Sequence, residues 1–393
     1  MTRILFITNR NVLTTSGELR LIKNRAESLY NDYNISSDFI IFGSKKRINS
    51  PKRESINAGG NTEIIPFSLI NIISYITGIG EAYGIIGNAL TKNKYAAVVL
   101  SGIGMACIIS RIKALGIPVY IDLHGALEDS LELSRSKGLL GKIKYTSLYY
   151  IDKFFSTRFI KKSNGCLAVT KALQEYATKT FSLNKNISFH IVPCAIKASN
   201  SLHLERDAFR KKYRKKYNIA DNELVFVYSG GISPWQCVEE TVSMYKEISK
   251  NLSMPSRMLL FSHNYEYLEK LTNGDDQFII DSYGPEELYK ALCAADFAFL
   301  LRKDNLTNNV AFPNKFLEYV ECRLVIITTP YVHEIYNQVI NYKLGIVVNN
   351  LKDYATIVEK SKSTSSYSEA TAQEVLAHNS FKNCLLSFVE EIK

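Results

Sequence analysis

The sequence predicts an α/β protein built of two doubly wound, Rossmann-like domains in tandem. The chain has 393 residues, more than one hydrophobic core usually sustains. Hydrophobic residues make up 46% of it and charged residues 22%, enough apolar surface for two sizeable cores and unlike a disordered or collagenous chain. Short β-branched runs separated by helical stretches then occur twice over, the pattern of parallel sheets covered by helices on both faces.

In the first half the strands expected are Ile4–Thr8, Ser37–Phe42, Ala96–Leu100, Val119–Leu123 and Gly165–Val169, with a last one ending at Ile191-Val192-Pro193. A helix from about Glu18 to Tyr33 follows the first strand, and a lysine-rich loop covers Lys45–Arg53. The second half repeats the pattern with Leu224–Ser229, Met258–Ser262, Phe278–Asp281, Phe297–Leu301, Leu324–Thr328 and Gly345–Val348. The seam lies between Pro193 and Asn222, giving a first domain over 1–196, a second over 197–375 and a closing helix over 376–393. The charged run Glu205–Lys216 in the seam reads as a solvated helix, with a nucleic-acid patch as the alternative.

Charge is unevenly placed. Up to Ile196 there are 25 Lys and Arg against 13 Asp and Glu, and beyond it 23 against 25, so an anionic partner should meet the first half. The seven cysteines lie far apart without a CxxC or a Cys/His cluster, which argues for a reducing compartment and against a disulfide frame or structural zinc. The opening apolar run is too short for a signal peptide, and the apolar region Pro66–Leu100 is broken by glycines and charges, so no transmembrane helix is expected.

Ligands of doubly wound domains bind where the strands end, which directs attention to the loops there. After the first strand, Ser16-Gly17 opens a helix; the pair fits a simple N-cap, or backbone N–H groups offered to an anion or hydroxyl. There is no GxGxxG. His124-Gly125 follows Val119–Leu123 and reads either as a structural histidine or as a side chain facing the ligand crevice. Gly230-Gly231 follow Leu224–Ser229 and read as an ordinary turn or an anion cradle, in a loop that also carries the single tryptophan, Trp235.

Arg302 and Lys303 follow Phe297–Leu301, and Pro313 suits the first position of a helix in which Lys315 and Glu318 share a face. A lysine at a helix N-terminus opposes the dipole. A bound diphosphate would resolve the conflict by taking Lys315, Arg302 and the helix N–H groups, leaving Glu318 for a ribose.

These features together resemble a retaining GT-B glycosyltransferase of the family-four type, the kind that builds bacterial surface polysaccharides. The resemblance spans nearly the whole chain: Ser16-Gly17, His124-Gly125, Ile191-Val192-Pro193, Gly230-Gly231, Tyr283-Gly284-Pro285-Glu286-Glu287-Leu288 and, most specifically, Pro313-x-Lys315-x-x-Glu318-Tyr319. It implies two domains facing across a cleft, and transfer of a hexosyl or N-acetylhexosaminyl group from a nucleotide diphosphate sugar, UDP preferred over GDP, to a saccharide acceptor.

By resemblance Glu318 holds the ribose, Arg302 and Lys315 the diphosphate together with Gly230 and Gly231, and His124 the donor sugar, while the Gly17 loop approaches phosphate or acceptor. No metal or other cofactor is implied, and the sequence has no DxD motif. Two positions depart from the pattern: Val310 stands where a glutamate often lies over the donor sugar, and Gln236 where a basic residue is common. A GT-B sugar-nucleotide epimerase and a nucleic-acid-binding protein are the alternatives.

The basic first half points to the acceptor. Lys137–Lys162 places Leu148, Ile151, Phe155 and Phe159 along one helical stripe, with Lys142, Lys144, Lys153, Arg158, Lys161 and Lys162 around it. Such a helix either lies on an anionic membrane or turns its stripe to the core. With the charge surplus, the expectation is a cytoplasmic enzyme peripheral to the inner face of the plasma membrane, extending a lipid-linked saccharide.

Overall fold

The computed structural model describes residues 2–8, 17–42, 56–65, 83–101, 108–135, 138–195, 202–363 and 365–393. The chain divides into two compact units, Met1–Ala195 with Asn379–Lys393, and Ile196–His378. The expected lysine-rich loop 45–53 and the Ser16 side of the first loop lie outside the described residues.

The first unit holds a seven-stranded parallel sheet of β1 (Arg3–Thr8), β2 (Ser36–Phe42), β3 (Thr62–Ile65), β4 (Ala97–Ser101), β5 (Val119–Leu123), β6 (Gly165–Ala168) and β7 (Ser188–Ile191), in the order β3-β2-β1-β4-β5-β6-β7. All of β2, β4, β5 and β6 is buried, as expected where helices cover both faces of a parallel sheet. Six of the strands coincide within about two residues with expected ones; β3 is additional.

The second unit holds a six-stranded parallel sheet of β8 (Leu224–Ser229), β9 (Ser256–Phe261), β10 (Phe278–Asp281), β11 (Phe297–Leu300), β12 (Val325–Thr328) and β13 (Gly345–Val347), in the order β10-β9-β8-β11-β12-β13. Phe226 stacks on Phe297 and Phe299, with ring centroids 5.1 and 5.7 Å apart, and this β8–β11 contact anchors the core. The chain thus runs outward from β8 on one side and from β11 on the other, which makes the β8/β11 boundary the switch point where the crevice of such sheets opens.

Two expectations need correction. The closing segment is three helices, Glu369–His378, Phe381–Cys384 and Leu386–Ile392, in place of one. Its end is tied to the first unit. Glu391 accepts from Tyr120 Oη at 2.7 Å and Ser188 Oγ at 2.9 Å and lies 3.0 Å from His190 Nε2, while Phe388 packs edge-on to the Tyr120 ring. Burial lowers the His190 pKa against the opposing pull of Glu391.

The run Glu205–Lys216 is a helix solvated on one side only, where Glu205, Asp207, Lys211, Lys212, Lys215 and Lys216 are exposed. Within Leu202–Lys216, Arg206, Arg210 and Arg214 line one side. Arg206 donates to Cys322 O at 2.9 Å, Arg210 to Ala295 O at 3.0 Å and Asp296 at 2.6 Å, and Arg214 to Ala294 O at 3.1 Å and Asp296 at 2.8 Å. Arginine forks matched to carbonyls and a carboxylate are structural fastenings, so this face offers no nucleic-acid patch.

Candidate functional site

The residues expected to hold an anion converge at the β8/β11 switch point. Leu300 and Leu301 are buried, and the next residue, Arg302, is held at both backbone ends by Thr329: its N–H donates to Thr329 Oγ1 at 3.1 Å, and Thr329 Oγ1 donates to its carbonyl at 2.8 Å. Arg302 is only 3% exposed, and its guanidinium donates to Leu301 O at 2.7 Å and to Gln236 Oε1 at 3.3 Å. Lys303, by contrast, turns to an ion pair with Glu240 and does not join it.

Lys315 is the first residue of the helix Lys315–Glu321, whose every residue is buried. The turn begins at Pro313, whose carbonyl accepts from Phe316 N at 3.0 Å. Lys315 Nζ donates to Gln236 Oε1 at 2.8 Å and stands 4.2 Å above the centre of the Tyr228 ring, a cation–π contact that replaces part of its lost hydration. Tyr228 Oη in turn reaches Gln236 Oε1 at 3.2 Å. One neutral amide oxygen therefore serves two buried cations.

Both cations are electrostatically poor as they stand. Burial pushes the Lys315 pKa well below its ordinary value, the Arg302 charge adds to the effect, and Glu318 offsets only part. Burial likewise lowers Arg302. A pair of buried cations sharing a neutral acceptor is an arrangement that an anion would relieve.

Glu318 is 7% exposed, one turn along the same helix. Its neighbour Tyr319 accepts through Oη from Ser229 N at 3.1 Å, which fastens this helix to the end of β8; burial first, then the neighbouring charge of Glu318, helps push the Tyr319 pKa up to about 12.

The glycine pair meets the same spot. Gly230 has φ +132°, a conformation other residues rarely adopt, and a β-carbon there would stand 2.7 Å from Lys315 Nζ. Its N–H donates to Phe261 O at 2.9 Å, so of the expected cradle that donor is already engaged. Among the described residues no acceptor takes the Gly231 N–H. Gly230→Ala is expected to displace the Lys315 ammonium, while the far-ultraviolet circular dichroism stays unchanged; NMR of the lysine side-chain resonances in wild type and variant checks it.

In the first unit His124 follows β5, with Nε2 2.9 Å from Asp122 Oδ2, a close polar contact without the alignment of a hydrogen bond. Asp122 is fully buried and also paired with Arg25 of the helix Gly17–Tyr33, which donates on to Val192 O. Burial alone would raise the Asp122 pKa, but Arg25 and then His124 outweigh it and hold the carboxyl at about 2. The sequence pointed to His124 and missed the Arg25–Asp122 pair that anchors it. Gly17 is the first residue of its helix. The switch-point loops of this sheet, 9–16 after β1 and 102–107 after β4, are outside the described residues.

Lys142, Lys144, Lys153, Arg158, Lys161 and Lys162 are all exposed, whereas Leu148, Ile151, Phe155 and Phe159 are half-buried. Among the described residues no three His, Cys, Asp or Glu side chains gather in a way that could hold a metal ion, and no helix is long and apolar enough to cross a membrane.

No family model and no curated protein matches the sequence. Solved structures match it end to end. A glycosyltransferase from Rickettsia africae superposes with a TM-score of 0.70 at 12% identity, covering 100% of this chain and 98% of that one. Anabaena HepE in complex with UDP gives 0.69 at 12% identity, covering 100% and 99%. WaaG, a glycosyltransferase involved in lipopolysaccharide biosynthesis, gives 0.63 at 14% identity, covering 99% of each chain. The chain has the GT-B fold. Its two parallel-sheet Rossmann-like units are those of this fold, and Arg302, Lys315 and the glycine pair stand at the switch point of the second one.

Proposed function

We propose that the protein is a retaining glycosyltransferase of the family-four type that moves a hexosyl or N-acetylhexosaminyl group from a UDP-sugar to a saccharide acceptor. The observation that carries this reading is the pair of buried cations, Arg302 and Lys315, whose ends meet at the neutral Gln236 amide oxygen at the switch point of the second unit. A diphosphate placed there would accept from both cations and from the Gly231 N–H, and Glu318 would accept from the ribose hydroxyls. HepE, solved with UDP and with UDP and glucose, supports UDP as the nucleotide.

In this mechanism the bond from the anomeric carbon to the diphosphate breaks through an oxocarbenium-like transition state. Negative charge gathers on the leaving oxygen, and Arg302 and Lys315 are positioned in advance to stabilise it, so the reading needs no metal. No protein nucleophile is assigned. Attack by the acceptor from the leaving-group side keeps the anomeric configuration, and His124, which lies beside Asp122, is assigned to the donor sugar. Val310, 3% exposed, puts an apolar group where the family often has a glutamate, so the sugar contact differs from the family habit.

The surplus of positive charge in the first half supports a lipid-linked acceptor in surface-polysaccharide synthesis, at the inner face of the plasma membrane. A ligand that binds only the folded state at a hundredfold its Kd raises stability by about 2.7 kcal/mol. UDP is expected to raise the melting temperature more than GDP, and product from a UDP-sugar should keep the donor's anomeric configuration by NMR. Failure of every nucleoside diphosphate to stabilise the protein would overturn the donor site; an inverted product would overturn retention.

A further inference from the structure

The helix Leu139–Phe159 presents a second, unexpected face. Leu140, Ile143, Ser147, Tyr150 and Phe154 recur at alternating spacings of three and four, which places them within about 80° of one another on a helix turning ~100° per residue. Four of them are large, apolar or aromatic, and in the open: Leu140 is 84% exposed, Ile143 57%, Tyr150 64% and Phe154 62%. The opposite side, through Tyr149 and Ser156, is buried in the unit. The stripe Leu148, Ile151, Phe155 and Phe159, on which a membrane reading would first be placed, lies on the flank and is half-buried.

Charge selects the partner. Between Leu139 and Lys162 there are six cations and a single acid, Asp152. Lys142 and Lys144 flank the exposed stripe, and Arg158 and Lys161 continue its line beyond Phe154. A second copy of the chain would bring Lys144, Arg158 and Lys161 of its own beside the same face, which opposes self-association. A bilayer of anionic phospholipid accepts both components, the apolar side chains in the acyl boundary and the ammonium and guanidinium groups among the phosphates.

We infer that the exposed face of Leu139–Phe159 is the surface by which the protein lies on an anionic bilayer, with the helix in the membrane plane. The stripe from Leu140 to Phe154 is ~21 Å long at 1.5 Å per residue, enough to seat the first unit without any segment entering the hydrocarbon core. This rests on the lipid-linked acceptor reading above and is independent of the donor site in the second unit.

Flotation of the full chain with vesicles of phosphatidylglycerol and phosphatidylcholine tests it. Binding is expected, at least tenfold weaker on phosphatidylcholine alone, and at least tenfold weaker on the anionic vesicles for the double variant Ile143→Ser, Phe154→Ser. Both replaced residues are exposed, so the variant should keep the wild-type melting temperature and the same stabilisation by UDP. A charge variant, Lys142→Glu with Arg158→Glu, should lose binding to the anionic vesicles as well. Binding that is absent from the wild type, or unchanged in the double variant, overturns the inference. So does a wild-type dimer that becomes a monomer in that variant, since the face would then be covered by a second copy. Loss of UDP stabilisation with vesicle binding intact would instead strike the donor site alone.

Discussion

Lys315→Ala is expected to lower kcat/KM for sugar transfer by about 100- to 1,000-fold, the usual cost of removing one preorganised donor to a developing anion. Glu318→Ala is expected mainly to raise KM for the donor, by about tenfold to a hundredfold, since in the proposed mechanism it removes the charged acceptor assigned to the ribose hydroxyls. Initial rates with varied UDP-sugar separate the two effects. A further consequence distinguishes a functional lysine from a structural one. Burial holds the Lys315 pKa below its unfolded value, so the folded state binds protons less readily than the unfolded chain. Stability of the free protein should therefore rise with pH through the window between the lowered and the ordinary lysine pKa. Lys315→Met should flatten that rise and should raise, not lower, the melting temperature of the unliganded protein at neutral pH. A residue that weakens the fold it sits in, and that an anion would relieve, belongs to the class found at functional sites.

Arg25→Met should produce the largest loss of stability, about 3–5 kcal/mol, because it leaves Asp122 buried with its main counter-charge gone. Urea unfolding measures it. The pH dependence carries the sign. The folded-state pKa of Asp122 is depressed to about 2, so its contribution is present above the ordinary carboxylate range and is lost as the pH falls towards 2. The gap in unfolding free energy between wild type and Arg25→Met should accordingly narrow from pH 4 downward. The double variant Arg25→Met, Asp122→Leu, which removes both charges together, should recover much of the loss. A constant gap across that range would show that packing, and not the ion pair, sets the cost.

Most of the strands are legible in the sequence because a parallel strand buried on both faces is a continuous apolar run. β3, TEII, escapes because it has four residues, the first two exposed, and no apolar pattern to separate it from a loop. The order of the strands, which creates the switch point, is a property of long-range pairing that no local pattern records. Lys315 and Glu318 are legible because their spacing and the proline before them fix their placement. Gln236 is legible only as a departure from the family pattern; that its amide oxygen meets both cations depends on where Arg302 and Lys315 put their ends.

Two signals were present and had a different meaning. In Leu202–Lys216 the arginines recur at 206, 210 and 214, one face, while Lys211, Lys212 and Lys215 lie elsewhere, and the fork-shaped cations are the ones fastened to carbonyls. In VYIDL an aspartate inside an apolar strand requires a partner, yet Arg25 lies 97 residues away. The helix Leu139–Phe159 is apolar on more than one side, so periodicity alone allows either stripe to face the core.

The central claim is that Arg302 and Lys315 hold the donor's diphosphate. Calorimetric titration of UDP into the wild type and into Lys315→Met tests it most directly. Saturable binding to the wild type is expected, at least tenfold weaker in the variant, with the unliganded variant no less stable than the wild type. Equal affinity in both proteins, or no binding to the wild type, would contradict it.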